Sequence, residues 1–312
     1  MLFAPPQDIA TEVFARVPAS LRKPKADNEF NRVQFAGHHA ESFLEGPVFD
    51  RAGNLYVVDI PWGRILRVTP GGEFGVVAEY DGWPNGLKFH PDGRLFVADY
   101  RHGILSVDVD SGRITPVCTH YRLERFHGVN DLSFASNGDL YFTDQGQSGL
   151  HDPSGRVFRL RAGETEAQLL LGGIPSPNGL VPNLEENKLY VAVTRANAVW
   201  RLPFVGEGVS KVGVFLQLSG GHAGPDGIAL DAAGGLVVAH AGLGAVWIFS
   251  EMGEPLYRVR SCTGHLTTNI AFGGPDGKSL YITESHTGTV LVARVPVAGR
   301  PTFAQAAWGV RW

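Results

Sequence analysis

The chain is poor in sulfur, with two cysteines and two methionines among 312 residues. Cys118 and Cys262 are too few for a disulfide framework or a cysteine-ligated metal site, and both are expected to be small buried residues in a reducing compartment. A strong charge imbalance is missing too. Lys and Arg number 27 against 31 Asp and Glu, a formal net charge of −4 with no basic block, which excludes nucleic-acid and polyphosphate binders. No apolar run approaches the roughly 20 residues of a membrane-spanning helix. The start, Met1-Leu2-Phe3-Ala4-Pro5-Pro6, lacks the basic and apolar regions of a secretory signal, so a cytoplasmic location without membrane partners is expected. Helix-forming blocks of Ala, Leu, Glu and Lys are also scarce. What is abundant is glycine: 40 residues, nearly double the usual share of about 7%. That balance predicts many short strands joined by tight turns.

One segment recurs six times, beginning at Glu45, Asn85, Asn130, Asn178, Asp226 and Asn269, with starts 40, 45, 48, 48 and 43 residues apart. Each copy reads as a hairpin. A short apolar strand leads to a turn, closing on Gly53, Gly93, Gly138, Gly234 or Gly277 in five copies, and a second β-rich strand follows. Two further strand-like runs complete most units, as in Arg64–Val68 and Phe74–Glu79. The period suits one four-stranded blade, so the expected fold is all-β: a single-domain six-bladed β-propeller with a metal ion in its central channel. The propeller is assigned to residues 41–312, after an N-terminal segment of residues 1–40. The last unit lacks a clear outer strand. Thr11–Val17 fits that place better than Thr302–Gly309 and would latch the ring shut.

Equivalent positions on the innermost strands converge near the propeller axis. The first residue of each copy therefore brings two carboxylates, Glu45 and Asp226, together with four carboxamides, and no cation of the chain stands in register with them. Buried carboxylates without a partner are costly. A bound cation resolves the conflict, and an all-oxygen donor set favours Ca²⁺, with Zn²⁺, Mn²⁺, Mg²⁺ or Fe²⁺ as alternatives. The competing reading, that Asn-Gly and Asp-Gly are turn dipeptides, is weaker, because the hairpin turn of each copy lies eight residues further on. Asp59, Asp99 and Asp144, at the ends of second strands, are expected to bond loop amides. His240 ends such a strand too, and His127 and His222 lie in loops just before two ring residues. These histidines are candidates for substrate contact, as are Asn85 and Asn269. Trp83, Tyr100 and Phe126 are candidate pocket walls or core residues.

The motifs Leu44-Glu45-Gly46-Pro47-Val48, Val129-Asn130-Asp131-Leu132, Tyr141-Phe142-Thr143-Asp144, Ser176-Pro177-Asn178-Gly179-Leu180 and Gly224-Pro225-Asp226-Gly227 together resemble the gluconolactonase, regucalcin and luciferin-regenerating family of calcium-dependent six-bladed propellers. The resemblance runs from about Phe43 to Val295. It implies metal ligation by Glu45, Asn130, Asn178 and Asp226, and hydrolysis of a lactone, a sugar lactone or related cyclic ester, with Asp226 as general base or nucleophile. The implied partner is a small-molecule substrate, and the implied assembly a monomer or small homo-oligomer. In one respect the sequence departs from the regucalcin branch. Where that branch carries an Arg two residues before its blade-three Asn, this chain has Gly128, which weakens the case for a polyhydroxy sugar lactone. Leu21–Ala40 and Gln145–Gly155 are irregular and are candidate covers for the pocket. Competing functions are a non-catalytic ligand-binding propeller, a phosphotriesterase of the diisopropyl fluorophosphatase kind, and a strictosidine-synthase-like condensing enzyme.

Overall fold

The computed structural model describes residues 3–23, 28–34 and 40–312. Six antiparallel sheets are arranged as blades, and successive inner strands pack side by side until blade six meets blade one. The inner strands are Leu44–Phe49, Pro84–Phe89, Val129–Phe134, Pro177–Pro182, Gly224–Leu230 and Thr267–Gly273. Turn glycines such as Gly53 (φ +84°) and Gly93 (φ +94°) adopt the left-handed backbone that the tight hairpins require.

The apolar side chains of facing sheets fill the spaces between blades. Val48, Tyr56, Val58 and Ile65 of blade one, for example, pack on Leu87, Leu95, Val97 and Leu105 of blade two. Second strands such as Leu55–Asp59 and Leu95–Asp99 are buried along their whole length, because both of their faces meet neighbouring blades.

The last blade is completed by the N-terminal strand Glu12–Arg16, antiparallel to Thr289–Arg294. The preceding strand, Gln7–Ala10, runs parallel to Pro255–Arg260 and adds a fifth strand to blade five, where Asp8 pairs with Arg258 at 2.7 Å and Arg260 at 3.0 Å. One N-terminal segment thus ties two blades. Thr302–Gly309 does not form a strand. Thr302 caps a short helix, Phe303–Ala307, which lies against a cavity of about 490 Å³ at the far mouth of the channel, walled by apolar inner-strand residues such as Val48, Phe89, Leu180 and Ile270.

Cys118 is buried, but Cys262 is exposed, against the expectation for both, because it sits in the loop that leaves the outer strand of blade five. Within Leu21–Ala40, residues 24–27 and 35–39 lie outside the described residues. The described part includes a short helix, Glu29–Gln34, whose Phe30 packs edge-on to Trp83 with centroids 5.4 Å apart. Among the described residues no helix is long and apolar enough to cross a membrane.

Candidate metal centre at the propeller axis

In every blade the inner hairpin shifts register beside the ring residue: between Glu45 and Val48, Pro84 and Gly86, Val129 and Leu132, Pro177 and Leu180, Pro225 and Ile228, and Thr267 and Asn269. A bulge re-aims side chains at the end of a strand, and six bulges at one level turn the six copies towards the axis. The strands approach closely there. A Cβ on Gly86 would sit 2.4 Å from Asp131 Oδ1, and one on Gly227 would sit 2.1 Å from Asn269 Oδ1, so the residue after the ring position has no room for a side chain in these blades.

Hydrogen bonds orient the ring. Glu45 Oε2 accepts from the Gly46 N–H and from Asn269 Nδ2, both at 2.8 Å, and the Thr268 side chain also bonds the carboxylate. Asn269 Oδ1 accepts from the Ile270 N–H at 2.8 Å, so this carboxamide is fully engaged. Asn130 Nδ2 donates to Gln145 Oε1 at 3.0 Å, and Gln145 Nε2 donates to Ser176 Oγ at 2.8 Å, an arrangement that leaves Asn130 Oδ1 unused. The Asn178 side chain hydrogen-bonds Asp226. Asn85, half-buried, makes no side-chain hydrogen bond among the described residues.

The structure adds a third carboxylate that the repeat alignment passed over. Asp131 is buried, its Oδ2 is 3.4 Å from Asn269 Nδ2, and it stands where four other copies carry glycine (Gly46, Gly86, Gly179 and Gly227). That substitution was the available signal. A cation out of register with the ring also emerges, because Lys88, three residues after Asn85, lowers the pKa of Asp131 electrostatically.

The three carboxylates repel one another in a desolvated space. Burial raises the Glu45 carboxyl to about 7, and the Asp131 charge adds to the rise against the pull of the Gly46 N–H and Asn269. Asp226 retains a little surface along the channel but is otherwise enclosed. Burial, then Glu45 and Asp131, push its carboxyl well above the usual range, opposed by Asn178 and Arg195. Among the described residues no three His, Cys, Asp or Glu side chains form a metal-binding group. A site here needs the carboxamides. The Glu45 carboxylate, Asn130 Oδ1, the Asn178 carboxamide oxygen and the Asp226 carboxylate make an all-oxygen set, which fits a hard divalent cation.

Other sequence candidates lie elsewhere. His240 is fully buried, and both ring nitrogens are engaged: Nδ1 accepts from Trp247 Nε1 at 3.2 Å, and Nε2 lies 3.1 Å from the Gly220 carbonyl. Burial also lowers its pKa. His240 is therefore corrected from a substrate candidate to a buried strut between strand and loop. His127 and His222 are exposed; His127 packs beside Gly146, and the His222 N–H donates to the Gly242 carbonyl at 3.3 Å. Phe126 belongs to the core, with centroids 5.2 Å from both Phe142 and Phe158. Trp83 and Tyr100 stack obliquely at 5.5 Å below the Glu29–Gln34 helix.

Comparison with known proteins places the fold among relatives. The sequence profile of the SMP-30/Gluconolactonase/LRE-like region matches residues 43–286. A gluconolactonase of Zymomonas mobilis is 30% identical over 274 residues, covering 78% of this chain and 76% of that protein. The lactonase drp35 of Staphylococcus aureus is 30% identical over 234 residues, 69% of each chain. Among solved structures, the calcium-binding protein regucalcin of Agrobacterium tumefaciens superimposes with a TM-score of 0.76 at 21% identity, over 96% of this chain and 98% of that one.

Proposed function

The chain belongs to the SMP-30/gluconolactonase/LRE-like family, and we propose from that premise that it is a metal-dependent carboxylic ester hydrolase that opens a lactone ring. The observation that carries this reading is the set of mutually repelling carboxylates at the axis, buried beside an Asn130 carboxamide oxygen that accepts no hydrogen bond among the described residues. In this reading Glu45, Asn130, Asn178 and Asp226 hold a divalent cation, Ca²⁺ by the chemistry of the donors, and the calcium-binding regucalcin relative supports that choice. When bound, the cation supplies Lewis acidity at the lactone carbonyl.

The protein residues do the rest. Asp226, which the Asn178 side chain holds by a hydrogen bond, is the proton acceptor of this reading. It takes a proton from water as the oxygen attacks the carbonyl carbon. The ring C–O bond then breaks, and the proton passes to the departing ring oxygen. In the alternative route Asp226 attacks the carbonyl carbon directly, the ring C–O bond breaks as the ring oxygen takes a proton from water, and the hydroxide so formed cleaves the resulting mixed anhydride and frees Asp226. Glu45, fixed by Gly46 and Asn269, anchors the cation and does not move a proton. Gln145 is a positioning residue that turns Asn130 Oδ1 towards the axis.

The test is acid release from a panel of γ- and δ-lactones by chelator-treated protein before and after calcium is restored. Hydrolysis that stops with the chelator and returns with calcium is expected. Calcium-bound protein that leaves every lactone intact while cleaving a phosphotriester would move the activity to that electrophile.

A further inference from the structure

A cavity of about 530 Å³ lies beside the ring on the side of blades three and four, lined among others by Gln145, Gln147, Ser148, His151, Ser176 and Arg195. It is continuous with the ring chemistry, since Gln145 holds both the ring residue Asn130 at 3.0 Å and the cavity residue Ser176 at 2.8 Å. Its volume is within the few hundred Å³ usual for small-molecule sites.

The cavity is electrically lopsided. Towards blade two its surroundings are neutral and closed. A Cβ on Gly128 would lie 2.4 Å from the Tyr100 ring, so no side chain reaches inward there, and the Tyr100 hydroxyl is taken up by Gln147 Nε2 at 2.7 Å. Towards blade four stands Arg195, in the turn Thr194–Ala196 that follows the strand Lys188–Val193. Arg156 and Arg159 of blade three are paired, with Asp144 and Asp139, whereas the exposed Arg195 makes no ion pair or hydrogen bond among the described residues, and its charge reaches Asp226 only at longer range. With a divalent cation at the axis and Lys88 beside Asp131, the three axial carboxylates are neutralised, and Arg195 leaves this mouth positive.

Resting on the lactone-hydrolase reading, we propose that the substrate carries an acid group besides its lactone: Arg195 grips that carboxylate while the lactone carbonyl faces the ring. The class is the monolactone of a dicarboxylic sugar acid, or a lactone with a comparable anionic arm. The planar guanidinium fork matches a carboxylate in a way that a neutral hydroxyl does not.

The experiment compares two lactones of equal carbon number, a neutral hexonic acid lactone and a hexaric acid monolactone whose far carbon is a carboxylate. The calcium-loaded wild type is expected to favour the acidic lactone in kcat/KM by about 10–100-fold, the scale of a charge-assisted contact, with the difference chiefly in KM. In Arg195→Gln the ratio should collapse towards one, and Arg195→Lys should keep part of it. A ratio near one in the wild type, or one that Arg195→Gln leaves unchanged, overturns the proposal. Calorimetry separates its failure from that of the hydrolase reading. The open-chain diacid should bind the wild type at least ~10-fold more tightly than the open-chain monoacid, and lose that advantage in Arg195→Gln. If neither lactone is opened and this preference holds, the hydrolase reading falls and the anion site stands. Equal binding of the two acids overturns the anion site even if both lactones are hydrolysed.

Discussion

The propeller holds two groups of buried carboxylates that differ in what faces them. At the ends of second strands, Asp59, Asp99, Asp144 and Glu284 are fully buried and knotted into the loops. The Phe43 N–H donates to Asp59 Oδ1 at 2.8 Å, and Arg64 pairs with its other oxygen. The Gly128 N–H donates to Asp144 Oδ1 at 2.7 Å, while Arg156 grips Oδ2 with Nε at 2.9 Å and Nη2 at 2.7 Å. The N–H groups of Arg101 and His102 donate to Asp99 at 2.9 Å, and those of Leu266 and His286 to Glu284 at 3.1 Å. Burial lifts Asp59 and Asp99, but each neighbour that acts on them pulls down. At the axis, the neighbours of Glu45 and Asp226 include other carboxylates, which push further up. Burial is common to both groups. Mutual repulsion between carboxylates distinguishes the axis, and the proposed ion would relieve it.

The sharpest contrast is in stability. Asp144→Ala should cost about 3–5 kcal/mol, because it removes the buried partner of Arg156 and leaves only the exposed Glu124, and it should leave calcium affinity unchanged. Denaturant unfolding and a calcium titration of the same variant check this. A variant of ordinary stability would erase the distinction between the two groups. Removing calcium from the wild type should lower stability by about 4 kcal/mol relative to protein at 1,000 times Kd. An unchanged melting temperature, with the ion shown to be gone, contradicts this.

Within the ring, chemistry and ion binding should separate. Asp226→Asn should lower kcat by at least ~100-fold, the lower end for loss of a general base, with no recovery in excess calcium. Glu45→Gln should bind calcium more weakly yet regain most activity when calcium is saturating. Recovery of Asp226→Asn in the same assay would reduce Asp226 to a ligand.

The pH dependence has a fixed sign. The Glu45 carboxyl titrates at about 7 in the folded chain, against 4.5 for the free group, so the native state holds an extra proton between those values. Metal-free protein should therefore lose stability as pH rises from about 4.5 through 7, by roughly 3 kcal/mol at most from this group, with Asp226 acting in the same direction. Thermal melts across that window check it; stability that rises with pH would contradict it. The smallest expected effect is a gain: Glu45→Gln in metal-free protein at pH 8 should stabilise by about 1 kcal/mol, since it removes a repelling charge.

Much of the fold was legible because the repeat writes the same hairpin six times, and closure of the ring then requires an outer strand, which Thr11–Val17 fits better than Thr302–Gly309. The parallel strand Gln7–Ala10 was not legible, since its four residues carry no period of their own and depend on Arg258 and Arg260 across the chain. The ring residues could be read from their register. Asp131 and Lys88 could not be read that way, because a bulge brings residues off the register to the axis, and bulges leave no periodic signature. His240 misled because strand ends near a pocket look alike in sequence, whereas Trp247 and Gly220 decide where its ring atoms go. Arg195 stayed hidden for the opposite reason: only the packed structure reveals that it forms no ion pair and that its charge faces Asp226 at longer range.

The direct test of the axis as an ion site is calorimetric titration of chelator-stripped protein with calcium at pH 6 and pH 8. Binding of one ion per chain is expected, tighter at pH 8, with protons released at pH 6, because carboxyls that burial and mutual repulsion keep protonated must ionise before they ligate. Absence of binding at both pH values, or an affinity indifferent to pH with no proton release, would contradict the assignment.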